Sequence, residues 1–170
     1  MESKDRRTAV LNSSSFNGID FVEISNDAQT NGLDPFLVAS LIRSESAFNP
    51  GAVSRANAYG LMQLLPSTGR ALAKREGESH FATNELLDPT ENVRLGTLDL
   101  KLSIDKYNGQ VEYALAAYNA GDKPVRDWIA TNDFKDIPEW VESIPYSETR
   151  EYVQGIMRNR EMYRAIYGGK

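Results

Sequence analysis

Apolar residues recur at helical spacing along most of the chain, and proline, glycine and asparagine punctuate the runs. In GIDFVEISNDAQTNG, Ile19, Val22 and Ile24 begin a helical run that Asn31-Gly32 stops. LDPFLVASLIRSES opens on Asp34 and Pro35, an N-cap followed by a first-turn proline. The pair recurs as Asp88-Pro89 at the head of LDPTENVRLGTLDLKLSIDKYNG, a long helix closed by Asn108-Gly109. LPSTGRALAKREG predicts a shorter helix from near Pro66 to Gly77. QVEYALAAYNAG places Val111, Ala114, Leu115 and Tyr118 at i, i+3, i+4 and i+7, with Gly121 suited to the left-handed position after a helix. KPVRDWIA and IPEWVESI predict short helical pieces. YSETREYVQGIMRNREMYRAIYG predicts a long last helix with Val153, Ile156, Met157 and Tyr163 available to pack. No alternating run carries hairpin signals, and no repeat of roughly 20–50 residues is present. The pattern predicts an all-α fold, with residues 1–18 a polar, serine-rich lead-in and residues 19–170 one helical domain.

One position breaks the apolar pattern. Val38, Leu41 and Ile42 form the inward stripe of the helix from residue 34, and Glu45 falls on the same stripe, four residues past Leu41. It also lies near the helix C-terminus, whose partial negative charge disfavours a carboxylate. Burial pushes a carboxyl pKa upward as well. Both effects favour the protonated form that a general acid needs near neutral pH. The alternative is a helix that frays at Ser44 and leaves Glu45 in water.

Composition narrows the chemistry. The 170 residues are 41% apolar and 25% charged, ordinary for one soluble globular domain. A net charge of −5 argues against nucleic acid as a partner. There is no cysteine, and His80 is the only histidine, in a polar loop where it reads as solvated. Disulfides, thiolate zinc sites and multi-histidine metal sites are excluded, as is a Ser-His triad away from His80. No run of about 18 apolar residues suggests a membrane span, and MESKDRRTAVLNSSS lacks the apolar core of a signal peptide.

ESAFNP, AYGLMQLLPST, ALAAYNAG and WVESIPYSETREYV follow one another in that order. In these four motifs, spanning about residues 20–167, the chain resembles the catalytic domain of the soluble lytic murein transglycosylases, glycoside hydrolase family 23. The resemblance implies a lysozyme-like helical domain with a substrate cleft, related to goose-type lysozyme. It implies Glu45 as the catalytic acid/base, with Ser46 beside it near the acetamido or hydroxyl groups of the substrate. Met62 and Gln63 of GLMQ would line the cleft, with core packing as the alternative for Met62, and Gly60 would allow close approach of backbone to ligand. The Tyr118 hydroxyl would help orient Glu45 or the sugar, and Asn119 would meet a sugar amide. Glu142 and Tyr152 match the last motif. Glu142 would bond a cleft group or form an ion pair with an arginine, and Tyr152 would join the site or simply pack. Tyr59, Trp128, Trp140 and Tyr146 are candidates to stack on sugar faces, with core or surface packing as the alternative.

Most glycosidases use two carboxylates, roughly 5–5.5 Å apart for retention and 6.5–9.5 Å for inversion. Here one acid is well placed and no partner stands out, which suits a lytic transglycosylase acting on peptidoglycan strands without metal or cofactor. The resemblance further implies a monomer of the periplasm or cell envelope, and relatives often carry a large helical superstructure. Two readings compete with it: a goose-type lysozyme hydrolysing the same bond, and a silent glycan-binding domain.

Overall fold

The computed structural model describes residues 18–131 and 133–168; the lead-in read from the sequence lies, but for Gly18, outside them. An aspartate caps the start of four of the eight described α-helices. Helix α1 (Phe21–Thr30) opens with a reciprocal box, in which Asp20 accepts from the Glu23 N–H at 2.9 Å and Glu23 accepts from the Asp20 N–H at 3.2 Å. Helix α2 (Pro35–Ser46) is capped by Asp34, which accepts from the Phe36 N–H at 3.0 Å. Helix α3 spans Pro66–Arg75 and a 3₁₀ turn spans Thr83–Leu87. Asp88 caps the long helix α4 (Pro89–Lys106) through the Glu91 N–H. Helices α5 (Val111–Ala120), α6 (Asp122–Thr131), α7 (Ile137–Ser143) and α8 (Ser147–Tyr167) complete the all-α fold. Among the described residues extended pairing is limited to isolated bridges, Val53 with Tyr59 and Tyr59 with Leu64. No described helix is long and apolar enough to cross a membrane.

Two expectations need correction. Val22 is 40% exposed, and the inward face of α1 runs instead through Ile24 and Ala28, with the buried Ile19 just ahead of the helix. Gly121 is not left-handed: its φ of 88° comes with an extended ψ of 160°. That region is open essentially to glycine alone, and it lets α6 start at the next residue.

The larger core gathers Leu37, Val38, Leu41 and Ile42 of α2 with Val153 and Ile156 of α8, and α2 lies along α8. A smaller core holds Leu64, Leu72, Leu86 and Leu95, with Phe81, Leu98 and Leu102 packed on it. Helix α4 serves both. Val93, Leu100 and Ile104 face the large core, while Leu95, Leu98 and Leu102, on its other side, face the small one. Between these faces runs a third stripe, Asn92, Gly96, Asp99, Ser103 and Lys106, at i, i+4, i+7, i+11 and i+14.

The first two members of that stripe hold the turn that carries GLMQ. Asn92 is fully buried; its Oδ1 accepts from the Met62 N–H at 2.7 Å, and its Nδ2 donates to the carbonyls of Tyr59 (2.9 Å) and Leu86 (2.8 Å). Gly60 has a φ of 76°, and a Cβ there would lie 2.2 Å from the Leu86 carbonyl oxygen. The glycine is therefore required by the crowded path over Asn92, which corrects the expectation that it makes room for a ligand. A Cβ on Gly96 would come within 2.4 Å of Met62 Sδ, so the helix and the turn touch directly.

Replacing Asn92 strands the buried Met62 N–H and the buried Leu86 carbonyl, while the Tyr59 carbonyl keeps the Leu64 N–H at 3.0 Å. At roughly 1–3 kcal/mol for each unsatisfied group, Asn92→Ala is expected to lose at least about 2 kcal/mol in urea unfolding. A loss under about 1 kcal/mol would show that the turn does not depend on this amide.

Candidate active site

Helix α2 does not fray at Ser44; it runs to Ser46 and then stops sharply. Ala47 (φ 50°) and Phe48 (φ 61°) are both left-handed, and the Ala47 N–H donates to the Arg43 carbonyl at 3.1 Å. Two consecutive non-glycine residues at positive φ are uncommon. They turn the chain away immediately after the acid and leave Glu45 on the inward stripe, half-buried.

Tyr152, the residue before Val153 of the core face of α8, donates its hydroxyl to Glu45 Oε1. Burial raises the Glu45 carboxyl from 4.5 to about 7, and the tyrosine bond, which favours the carboxylate, opposes part of that rise. No cation pairs with Glu45 among the described residues. The carboxyl is thus close to half-protonated at neutral pH. Burial and the neighbouring Glu45 push the Tyr152 hydroxyl well above its usual value, so it stays a donor. Tyr118, on α5, is also raised by burial, then by Asp99 and Glu45. It therefore stands within electrostatic reach of both carboxyls.

The Tyr118 hydroxyl donates to the Met62 carbonyl at 2.7 Å, so the orienting bond to Glu45 comes from Tyr152 instead. Ser46 Oγ donates to the Leu61 carbonyl at 2.8 Å and lies 3.2 Å from that of Ile42, tying the end of α2 to the GLMQ turn. Met62 was expected to touch substrate, but its side chain is fully buried against Gly96. Only its backbone, held by Asn92 and Tyr118, serves the site. Gln63 is left-handed at φ 51° and donates from Nε2 to the Gly60 (2.9 Å) and Ala52 (3.1 Å) carbonyls, leaving Oε1 as the acceptor. Asn119 Oδ1 accepts from Thr149 Oγ1 at 2.6 Å, fastening the start of α8 to the end of α5.

Glu142 does not join this group. It is exposed, accepts from Gln154 Nε2 at 2.7 Å, and lines a separate depression with Pro138, Val153 and Met157. No arginine pairs with it among the described residues. Of the stacking candidates, Trp140 is fully buried edge-on to Tyr113, with an unpaired Nε1, and Tyr59 packs on the small core. Tyr146 is 54% exposed and meets Trp128 edge to face. His80 is exposed.

Beside the Glu45 cluster opens a cavity of about 400 Å³. Gln63, Leu65 and Tyr118 line it, and so do Asp99, Ser103 and Lys106 of the third stripe of α4. Asp99 was not among the sequence candidates. Its carboxyl is raised to about 6, by burial first and by Asp122 second. Three carboxylates, Glu78, Glu85 and Glu91, lie close enough together to hold a cation. Arg94 already pairs with Glu78 and Glu91, and Glu85 accepts from the Ala82 N–H, so their chemistry is that of an ion-pair network.

The Glu45 shift has a consequence for stability. The folded chain binds this proton more tightly than the unfolded chain, so wild-type stability falls as pH rises from 4.5 to about 7. Glu45→Gln lacks that loss. Discounted for water reaching the carboxyl, the variant is expected to be about 2 kcal/mol more stable than wild type at pH 8, the difference vanishing near pH 4. Thermal unfolding across that range checks it; equal stabilities at both ends would mean that the carboxyl is not perturbed.

Comparison with known proteins matches this geometry to a family. The family description "Transglycosylase SLT domain" matches residues 23–141, and "Soluble lytic transglycosylase helical domain" matches residues 143–170. The soluble lytic murein transglycosylase of Escherichia coli K12 is 36% identical over 133 residues, covering 77% of this chain and 21% of its own length. The membrane-bound lytic murein transglycosylase C of Actinobacillus pleuropneumoniae is 34% identical over 160 residues, 82% of this chain and 44% of that protein. The chain thus spans about a fifth to under a half of the length of these relatives. Among solved structures, an inactive mutant of the lytic transglycosylase Slt from Pseudomonas aeruginosa superposes with a TM-score of 0.80 at 34% identity, over 85% of this chain and 24% of that one. This chain belongs to the transglycosylase SLT domain family.

Proposed function

We propose that the chain is a peptidoglycan lytic transglycosylase of glycoside hydrolase family 23, working in the cell envelope. It cleaves the β-1,4 bond between N-acetylmuramic acid and N-acetylglucosamine and leaves a 1,6-anhydromuramoyl end. The observation that carries this reading is a single carboxyl, Glu45, tuned to about 7 and oriented by a tyrosine rather than by a cation or a second acid.

Near neutral pH a large fraction of Glu45 is protonated and can donate to the glycosidic oxygen as the bond breaks. The positive charge that develops at C1 is met by the carboxylate so formed, which Tyr152 holds by its hydrogen bond. The same carboxylate then takes the proton from the muramoyl C6 hydroxyl as that oxygen attacks C1 of its own ring. Glu45 ends protonated, ready for the next cycle, and no water is consumed. Intramolecular attack has the proximity advantage that a bimolecular step lacks, so no second carboxylate is needed to activate water. The acetamido substituents of the strand would meet the groups left over from the fold's own bonds, Gln63 Oε1 as an acceptor and Asn119 Nδ2 as a donor.

Hydrolysis of the goose-lysozyme kind needs a water held by a second acid. Glu142 is exposed in another depression, and the Glu45 shift has burial and Tyr152 as its causes, with no neighbouring carboxylate among them. These observations favour the transglycosylase.

Mass spectrometry of the soluble products from purified peptidoglycan tests the proposal. The expected fragments end in 1,6-anhydromuramic acid, one water lighter than the reducing form, and disappear with Glu45→Gln. Reducing ends would establish a hydrolase instead, and the absence of any products would leave a binding domain.

A further inference from the structure

The cavity beside the Glu45 cluster contains a carboxyl that the proposed reaction does not use. Asp99 sits on the stripe of α4 that faces neither core, one turn beyond the Gly96–Met62 contact. Asn92, earlier on that stripe, is fully buried and fully bonded. Asp99 differs: among the described residues it makes no hydrogen bond and no ion pair. Nor is it sealed away, since among the described residues the only buried side-chain polar atom without a partner is Trp140 Nε1. Its oxygens therefore open on the cavity.

The nearby cation is not available to neutralise it. Lys106 lines the same cavity but is engaged by Asp122, which also accepts from Tyr107 Oη at 3.0 Å. Asp122 in turn repels the Asp99 carboxylate. A half-buried, unpaired carboxyl opposed by a like charge costs stability, and nothing in the surrounding fold uses it. Groups kept at such a cost belong to sites more often than to scaffolds.

What the cavity could take follows from its walls. A volume of about 400 Å³ lies in the range of small-molecule sites. Leu65, 43% exposed, gives an apolar wall on which a ring can lie. Tyr118 belongs to both this cavity and the surroundings of Glu45, and Gln63 lines the cavity with it. A carboxylate accepts hydrogen bonds and does not donate, so its complement is a ligand rich in hydroxyl or amide N–H groups. It also disfavours an anionic one.

We propose that Asp99 is a sugar-binding residue, accepting a hydrogen bond from a hydroxyl or the acetamido N–H of an uncharged N-acetylhexosamine ring in this cavity. The proposal rests on the glycan-cleaving reading above and adds the residue that fixes the neighbouring ring. Tyr118 separates the roles: Glu45 on one side handles the proton, and Asp99 on the other holds the strand in register.

The test is steady-state kinetics on a soluble tetrasaccharide of alternating N-acetylglucosamine and N-acetylmuramic acid, with thermal unfolding of the same preparations. Asp99→Asn and Asp99→Ser are expected to lower kcat/KM about tenfold, mainly through KM, while unfolding at the same or a higher temperature than wild type. A kcat/KM within twofold of wild type in both variants would overturn the proposal and leave the function standing. Loss of heat stability in parallel with activity would also overturn it, by giving Asp99 a structural role. A wild-type chain that releases no anhydro product would overturn the function, and the role of Asp99 with it.

Discussion

Glu45 lies in the last turn of a helix whose other buried residues are apolar but for Ser40, and its surroundings half-bury that carboxyl without giving it a cation. An arginine or lysine in place of the Tyr152 hydroxyl would fix the carboxylate and pull its pKa below the ordinary value, removing the acid. A wholly apolar pocket would do the opposite and leave the group too weak an acid to give up its proton. The tyrosine bond lies between these limits: it orients the carboxyl, offsets part of the burial, and leaves the proton mobile near neutral pH. The left-handed pair Ala47 and Phe48 and the Ser46–Leu61 bond keep the helix end from relaxing toward solvent.

The rest of the molecule brings distant elements to that point. Helix α4 divides the two cores, and its third stripe faces the turn between residues 59 and 64. Asn92 replaces the pairing that a longer hairpin would give this turn, and the turn presents the Met62 carbonyl to Tyr118. On the far side, Asn119 and Thr149 lock α5 to the start of α8 and so place Tyr152 over Glu45. Three chain segments far apart in sequence thus converge through buried side-chain bonds to backbone or to one another. Such bonds are directional in a way that the apolar cores are not.

The parts of this arrangement that were legible in the sequence are the local ones. Asp34-Pro35 and Asp88-Pro89 carry their capping chemistry within four residues, so both helix starts could be read directly. Glu45 stood out because it breaks an apolar stripe on its own helix. Tyr152 lies 107 residues away from it, and only the family motif singled it out. Met62 was misread because side-chain direction in a tight turn follows from backbone angles, such as the positive φ of Gly60 and Gln63, that periodicity does not encode. Gly60 was misread for a related reason, since the atom it avoids belongs to Leu86. Asp99 passed unnoticed because a polar residue on a long helix normally faces water. Its meaning depends on knowing that α4 is covered on two sides, which the spacing of Val93 and Leu100 against Leu95 and Leu102 hints at only in retrospect.

The account stands on the protonation of one group. A carbon-13 NMR titration of the Glu45 carboxyl, assigned by its disappearance in Glu45→Gln, measures it directly in the wild-type chain. A midpoint close to 7 is the predicted result. A midpoint near the ordinary value of 4.5 would contradict it, because the carboxyl would then be ionised at neutral pH and unable to act as the acid.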